Sequence, residues 1–381
     1  MEPKTIKNLR EDIDRIDREI LLLISMRASH AREVGRLKKA CGRAVFDPAR
    51  EQEVIADLLK QNPGPLPDCA LRHVFTELIS ACRELQEPLK IAYLGPEATF
   101  CHQASLAYFG RSCRFLACES IPDVFRQVER GKAHFGVVPI ENSTEGAVGT
   151  TLDELVCSEL KITGEAVLRI SHAVMSQEED LARIEKVYSH PQALAQCQGW
   201  LRTNLPGRTL VPTSSTASAA ALVAKEPRAA AVGSPVLAEI HGLAIVADEI
   251  QDLAVNLTRF LVLGTEEASA TGQDKTSVLF ATGHRPGALK DALGPFSEQE
   301  INMTRIESRP SKQAPWEYVF FVDIEGHKQD ISVRKALDSL ARCTTRLKVL
   351  GSYPMAHPNR KERASSADEE RPELVAVDSG R

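Results

Sequence analysis

The sequence predicts a multidomain protein in which an all-α segment is followed by an α/β segment and then by an α+β segment of ferredoxin-like order. Three observations carry this reading. Residues 5–40 hold one sustained helical repeat, with Leu9, Ile13, Ile16, Ile20, Leu23 and Ile24 recurring at three and four. From Leu89 short apolar strands alternate with helices. After a polar linker at 265–274 the pieces run β-α-β-β-α-β, the order of a split βαβ unit.

The first segment, 1–88, opens with the long repeat, broken only by Gly35 and ending near Cys41-Gly42. At about 1.5 Å per residue this helix is on the order of 50 Å long, more than a small domain can cover by itself, so a second copy of the chain is the expected cover. Asp47-Pro48 reads as an N-cap followed by Pro at the first helical position, opening a helix to about Gln61. NPGPLPD (62–68) is a turn, and a third helix runs from about Ala70 to Gln86. Most Arg and Lys side chains are solvated surface charges. Here, however, Lys38 follows Arg27 by 11 residues and shares its face, whereas Arg10 lies 17 residues before Arg27 and points about 100° away.

In the second segment, 89–265, strands are expected at 90–95, 135–140, 185–190, 229–234 and 258–264. The stretch VVPIENSTEGAVGTTLDEL (137–155) stands out: a buried strand stops at Glu141-Asn142, and Ser143, Thr144, Gly146, Gly149, Thr150 and Thr151 follow. YSHPQALAQC puts Ser189 at a strand end and Gln196 one to two turns into a helix, and TSSTASAAALV (213–223) opens another helix with hydroxyls. One such site is simply an N-cap. Several in one domain point to a small polar anion held at strand ends, in a cleft between two small lobes. Gly146 and Gly149 would let backbone approach that ligand, with Asn142 and the hydroxyls fixing it.

The third segment, 275–354, contains RPGALKDALGPF, where Pro286-Gly287 exposes backbone N–H groups at a helix start. Leu289 and Leu293 at i, i+4 suit a core or a binding role equally. Residues 355–381 carry no aromatics and many charges, and are expected to form a disordered tail.

Composition narrows the function classes. With 381 residues, 43% apolar, 26% charged and net charge −5, the chain has the profile of a globular protein without the basic excess that nucleic acid demands. Nine cysteines with no CxxC pair fit a reducing compartment, and MEPKTIKNLREDIDRIDREI is too charged for a signal peptide. No apolar run approaches the roughly 18–20 residues of a membrane span. The expectation is a cytoplasmic protein with no membrane partner. His102, His172 and His190 lack metal-ligand spacing, and there is neither a Cys/His cluster nor a dinucleotide or phosphate-loop glycine pattern, so no metal and no cofactor is expected.

Resemblance to known families sharpens this. LREDIDRIDREILLLISMRASHAREVGRLKK followed by VFDPAREQEV resembles the all-helical chorismate mutase domain, an intertwined three-helix dimer. That likeness implies that Arg27, Arg50 and the partner chain's Arg10 bind two substrate carboxylates. Lys38 and Gln86 would face the ether oxygen, and Asp47 and Glu51 the ring hydroxyl. A position where the family often carries Ser is here Cys82. IAYLGPEATFCHQAS, VVPIENSTEGAVGTTLDEL, SHPQALAQC and VNLTRFLVLG resemble prephenate dehydratase, a two-lobed fold like that of periplasmic binding proteins. This implies Thr258 as the main catalytic group, Asn142, Ser189 and Gln196 as catalytic or positioning partners, and Phe260 shaping the site. Two departures are GPEATF, with Ala98 in place of Gly and hence an expected change of local backbone angle, and IQDLAV before NLTRF.

RPGALKDALGPF and TRIESRPSKQAPWEYVFFVDIEGH resemble the ACT domain, which binds L-phenylalanine at a dimer interface. The implied contacts are Gly287, Ala288, Leu289, Asn302, Glu307, Ser308, Arg309 and Pro310. Together the resemblances cover residues 5–353 and imply a bifunctional homodimer or higher homo-oligomer. It would turn chorismate into prephenate and prephenate into phenylpyruvate under phenylalanine feedback. The first step is an intramolecular rearrangement needing no nucleophile, and a neutral Gln86 donates without protonation, which predicts a flat pH profile above neutrality. The rivals are a non-catalytic two-lobed sensor with an ACT domain, and a chain retaining only one activity.

Overall fold

The computed structural model describes residues 5–42, 46–310 and 318–356. The expected tail lies, beyond Ala356, outside the described residues. Helix α1 (Ile6–Ala40) begins where the Thr5 hydroxyl accepts from Asn8 N at 3.3 Å, and ends at Cys41. Its apolar residues Leu9, Ile13, Ile16, Ile20, Leu23 and Ile24 are all exposed in the single chain, while Gly35 is buried. Helix α2 (Pro48–Lys60) carries the expected cap: the Asp47 carboxylate accepts from Arg50 N at 3.1 Å ahead of Pro48. Helix α3 (Asp68–Glu84) completes the helical segment.

From Lys90 the chain alternates through β1 (Lys90–Leu94), α4 (Phe100–Phe109), β2 (Arg114–Cys118), α5 (Ile121–Glu129) and β3 (Phe135–Asn142). The short β4 (Gly146–Ala147) pairs with β3, and α6 (Gly149–Cys157) leads into β5 (Lys161–Arg169). Next come β6 (Ala173–Ser176), β7 (Lys186–Ser189), α7 (Pro191–Gln196), α8 (Gln198–Asn204) and β8 (Thr209–Pro212). They are followed by α9 (Thr216–Val223), β9 (Ala229–Gly233), α10 (Val236–His241) and β10 (Ala244–Ala247). Strand β11 (Leu257–Gly264) returns to the first sheet, whose order is β2-β1-β3-β11-β5. The second sheet runs β10-β6-β9-β7-β8, with β7 parallel to β8 and β9 and with β6 antiparallel to its neighbours.

The last segment contains β12 (Asp274–Ala281), α11 (Ala288–Glu298), β13 (Met303–Pro310), β14 (Tyr318–Glu325), α12 (Ile331–Cys343) and β15 (Arg346–Pro354). Its sheet order, β13-β14-β12-β15, all antiparallel, is the ferredoxin-like arrangement read from the sequence. The chain forms two compact units. One holds the residues up to Ile140 together with Ala147–Ala166 and Phe260–Met355; the other holds Glu141–Gly146 and Val167–Arg259.

In the first unit a single core joins the first sheet to one face of the third, with Val138, Ile162, Leu263, Leu279, Phe321, Leu350 and Tyr353 among its members. Two features pin that joint. A Cβ on Gly351 would lie 2.1 Å from the Ile162 carbonyl oxygen, so only glycine lets the two backbones approach. Lys275 Nζ also meets both Glu165 oxygens, at 2.9 and 3.1 Å, with the Glu165 side chain 1% exposed. The second unit has its own core, built on Val174, Val187, Ala230, Val232 and Ile250.

Ala98 has φ at 65°, the left-handed region that suits glycine, with its N–H donating to His102 Nδ1 at 3.1 Å and its methyl buried. The left-handed penalty of roughly 1 kcal/mol and the gain of roughly 0.8 kcal/mol from one buried methyl nearly cancel. Ala98→Gly should therefore move the denaturation free energy by less than about 1 kcal/mol, whereas β-branched Ala98→Val should cost about 2 kcal/mol or more in a urea titration.

Candidate active sites

In the helical segment Arg27 and Lys38 of α1, Asp47, Arg50 and Glu51 at the start of α2, and Gln86 after α3 line one cavity of about 300 Å³, together with Cys82 and Arg83. Six of the seven implied mutase residues thus meet in one place. Arg10 is not in the lining of this cavity and is exposed on the same helix. Gly35 explains itself here. A Cβ at that position would fall 2.7 Å from both Cβ and Cγ of Gln86, so the helix gives up a side chain to admit the glutamine. Arg50 reaches Glu53 at 2.5 Å on the solvent side, an exposed pair that an anion in the cavity can displace. Burial pushes the Glu51 carboxyl up, and Arg83 opposes that by charge and by hydrogen bonds of 2.6 and 2.7 Å.

The second constellation lies at the ends of β3 and β11, within the second unit. Asn142 Nδ2 donates to Thr258 Oγ1 and to Asn256 Oδ1, both at 2.8 Å. Its own Oδ1 accepts from the Thr144 and Glu145 backbone N–H groups at 3.0 and 3.2 Å, which fixes which way the amide faces. Since Thr258 Oγ1 receives an amide hydrogen, its hydroxyl proton is left for another acceptor. Asn256 Nδ2 donates to Gln196 Oε1 at 3.2 Å, and His172 Nε2 is 2.9 Å from the same oxygen. Glu145 holds Gln196 in place by accepting from its Nε2 at 2.8 Å. Burial pulls the His172 pKa down, so the ring is neutral near pH 7 and donates through Nε2. The result is one continuous run of oriented dipoles from His172 to Thr258.

Asn142 and Thr258 are therefore in direct contact, and Gln196 joins them through Asn256. Ser189 is fully buried at the end of β7 and gives its hydroxyl proton to the Val232 carbonyl at 2.6 Å. Phe260 lies two residues beyond Thr258, on the same face of β11, and is buried. Asp252, in the departing IQDLAV segment, accepts from the Gly199 and Trp200 N–H groups at 2.9 and 3.0 Å and so anchors that segment to α8. Glu145 and His172 were missed from sequence, because their value lies in orienting the Gln196 amide, 51 and 24 residues away in the chain. The close approach at Gly149 is made by the Arg309 guanidinium, whose Nη1 lies 2.6 Å from where a Cβ would be.

In the third sheet Gly287 caps α11 with φ at 80° and Ala288 is buried. Leu289 and Leu293 are partly buried and pack against the core beneath α11 and α12. Asn302 donates to Glu325 at 3.0 Å. Glu307, Ser308, Arg309 and Pro310 lie on the edge strand β13, and Arg309 Nη2 is 3.1 Å from each Asp153 oxygen on α6. Among the described residues no helix is long and apolar enough to cross a membrane, and no group of three or more His, Cys, Asp or Glu side chains could hold a metal. All nine cysteines are free.

Comparison with known proteins agrees with this layout. The family model for chorismate mutase type II matches residues 9–87, that for prephenate dehydratase 91–268, and that for the ACT domain 276–342. The fold and its two sites thus define a fused pair of catalytic domains followed by a regulatory domain. Bifunctional chorismate mutase/prephenate dehydratase from Aquifex aeolicus is 47% identical over 355 residues, covering 92% of this chain and 98% of that one. The Neisseria gonorrhoeae protein of the same name is 46% identical, covering 91% and 96%. The prephenate dehydratase from Arthrobacter aurescens, solved in complex with L-Phe, superposes with a TM-score of 0.66 at 33% identity, covering 73% of this chain and 97% of that one. The chain belongs to the bifunctional chorismate mutase/prephenate dehydratase family and is an enzyme of both kinds.

Gly35→Ala would strengthen an isolated helix by about 1 kcal/mol. Here it should displace Gln86 and lower mutase kcat/KM by roughly tenfold to a hundredfold, with dehydratase turnover of prephenate unchanged.

Proposed function

We propose that the helical cavity rearranges chorismate to prephenate and that the Asn142–Thr258 site converts prephenate to phenylpyruvate. The observation that carries this reading is the convergence of Arg27, Lys38, Asp47, Arg50, Glu51 and Gln86 on one cavity. In the first step the ether C–O bond breaks as a C–C bond forms, with no covalent enzyme intermediate. Arg27, Arg50 and Arg10 of the partner subunit grip the two carboxylates, holding the substrate compact. Lys38 and Gln86 stabilise the charge growing on the ether oxygen, and Asp47 and Glu51 take the ring hydroxyl.

In the second step the bond to the ring carboxylate breaks, its electrons enter the ring, and hydroxide leaves as the ring becomes aromatic. Thr258 donates to the departing hydroxyl, and the Asn142 amide on its oxygen makes it a better donor. Gln196 positions the substrate, Ser189 steadies the end of β7 behind it through its bond to the Val232 carbonyl, and Phe260 backs the site.

A second copy of the chain covers the apolar face of α1 and supplies the missing arginine, making a homodimer or higher homo-oligomer. L-phenylalanine acts on the ACT domain through Gly287, Ala288, Leu289, Asn302 and the 307–310 segment; the L-Phe complex of the Arthrobacter aurescens relative supports that reading. The domains run over 1–88, 89–265 and 275–354, and the enzyme works in the cytoplasm.

The test gives purified protein chorismate or prephenate in separate reactions, with and without L-phenylalanine. Phenylpyruvate should form from both, and L-phenylalanine should suppress it. Thr258→Ala should cut the second step by roughly 10²–10³-fold and leave the first unchanged. Turnover of neither substrate would favour the sensor reading.

A further inference from the structure

Arg83, on the last turn of α3, is absent from the set of mutase residues that family resemblance supplies, yet it is only 3% exposed and borders the cavity. Its guanidinium is committed in two directions. Nη1 donates to both oxygens of Glu51, at 2.7 and 2.6 Å. Nη2 donates to the Phe109 carbonyl, at the C-terminal end of α4, and lies 3.5 Å from Cys113 Sγ. The plane sits 4.8 Å from the centre of the Phe46 ring, which itself packs 5.4 Å from Phe109 and 5.0 Å from Phe135. A helix C-terminus presents carbonyls with partial negative charge, so it is a natural acceptor for a buried cation.

The junction that carries Phe109 is itself fixed against α3. Ser112 N donates to Ser80 Oγ at 3.2 Å and Arg111 N to Glu77 at 3.0 Å. Gly110, with φ at 72°, would put a Cβ 2.4 Å from Ser80 Cβ, so the two helices meet as closely as backbone allows. Neither terminal nitrogen of Arg83 is left over for substrate.

We propose that Arg83 is a positioning residue of the mutase cavity, holding the Glu51 carboxylate with one nitrogen while the dehydratase domain's α4 holds the other. The orientation of one mutase side chain is then set by the neighbouring catalytic domain. The inference rests on the reading of Glu51 as the acceptor for the substrate's ring hydroxyl. The charged and titratable groups acting on Glu51 are Arg83 from α3, Asp47 before α2, Lys38 from α1, Tyr108 from α4, and Cys113. Burial raises the Glu51 pKa; Arg83 and Lys38 lower it, and Asp47 raises it. Without Arg83 the opposing cation is largely gone, so Glu51 ionises only at higher pH and the acid limb of the mutase profile moves upward.

Four full-length variants test this: Arg83→Met, Arg83→Lys, Glu51→Gln, and the Arg83→Met/Glu51→Gln double variant. Arg83→Met should lower mutase kcat/KM by about thirtyfold and move its acid limb up by about one pH unit, with prephenate turnover within twofold of wild type. Arg83→Lys, which keeps a cation in the same place, should return the acid limb to near its wild-type position. The double variant should be no worse than Glu51→Gln alone, because both act through one carboxylate. Phe109→Leu, a change confined to the dehydratase domain, should weaken the mutase several-fold and spare prephenate turnover. Equal losses in both activities, additive losses in the double variant, or an acid limb that Arg83→Met leaves in place would overturn the proposal. If Glu51→Gln alone keeps full mutase activity, the reading of Glu51 fails instead.

Discussion

The constraint on which the dehydratase half depends is the placing of β11 between β3 and β5 in the first sheet. Ser143 N donates to the Leu257 carbonyl at 2.8 Å, and Leu257 N returns a bond to Ser143 Oγ at 3.0 Å, across a separation of 114 residues. Between the two strands the chain first adds β4 and β5 to the same sheet, then makes an excursion through β6 to β10 that builds the second sheet, and comes home. Closing so long a loop is entropically costly only logarithmically, so the main requirement is that the strand be accepted when it returns. Its apolar run, Phe260 to Leu263, supplies that by burial, and the polar residues just before it are delivered to the end of β3 as a consequence. Thr258 meets Asn142 because Phe260 belongs in the core.

The helical segment solves a different problem. It must keep several charges at one small cavity without letting them neutralise each other. Arg50 pairs with Glu53 at the exposed edge, Glu51 is held from behind by Arg83, and Arg27 and Lys38 on α1 add two further cations to the cavity wall. Buried ion pairs contribute little net stability, because desolvation offsets their attraction. Their geometry, however, is fixed, and orientation is what an intramolecular rearrangement asks of its enzyme. The same logic is visible where Lys275 meets Glu165 and where Arg309 lies over Gly149.

Much of this was legible in the sequence, for physical reasons that differ by element. Helix α1 announced itself by its 3.6-residue period, α2 by Asp47-Pro48, and the ferredoxin-like order by alternating strand and helix patterns; each depends on near neighbours in the chain. The strand ends at Asn142 and Ser189 could be seen because an apolar run gave way abruptly to hydrogen-bonding groups. Illegible were the residues whose partners lie far off. Arg83 reads as one more surface cation until Phe109 is placed beside it, and Glu145 as a turn residue until Gln196 arrives. Ser189 looked like a group aimed at a ligand, but its proton goes to Val232. Gly149 looked like room for a ligand and is room for an arginine.

The bare apolar stripe of α1 carries a thermodynamic consequence. If a second copy of the chain covers it, as proposed above, folding and association become one equilibrium and the stability of that segment follows mass action. Each tenfold dilution then removes about 1.4 kcal/mol from the association term. The first sheet and the second unit keep their cores within one chain and carry no such dependence. Diluting the enzyme would therefore separate its two chemistries in order, with the helical half the first to fail.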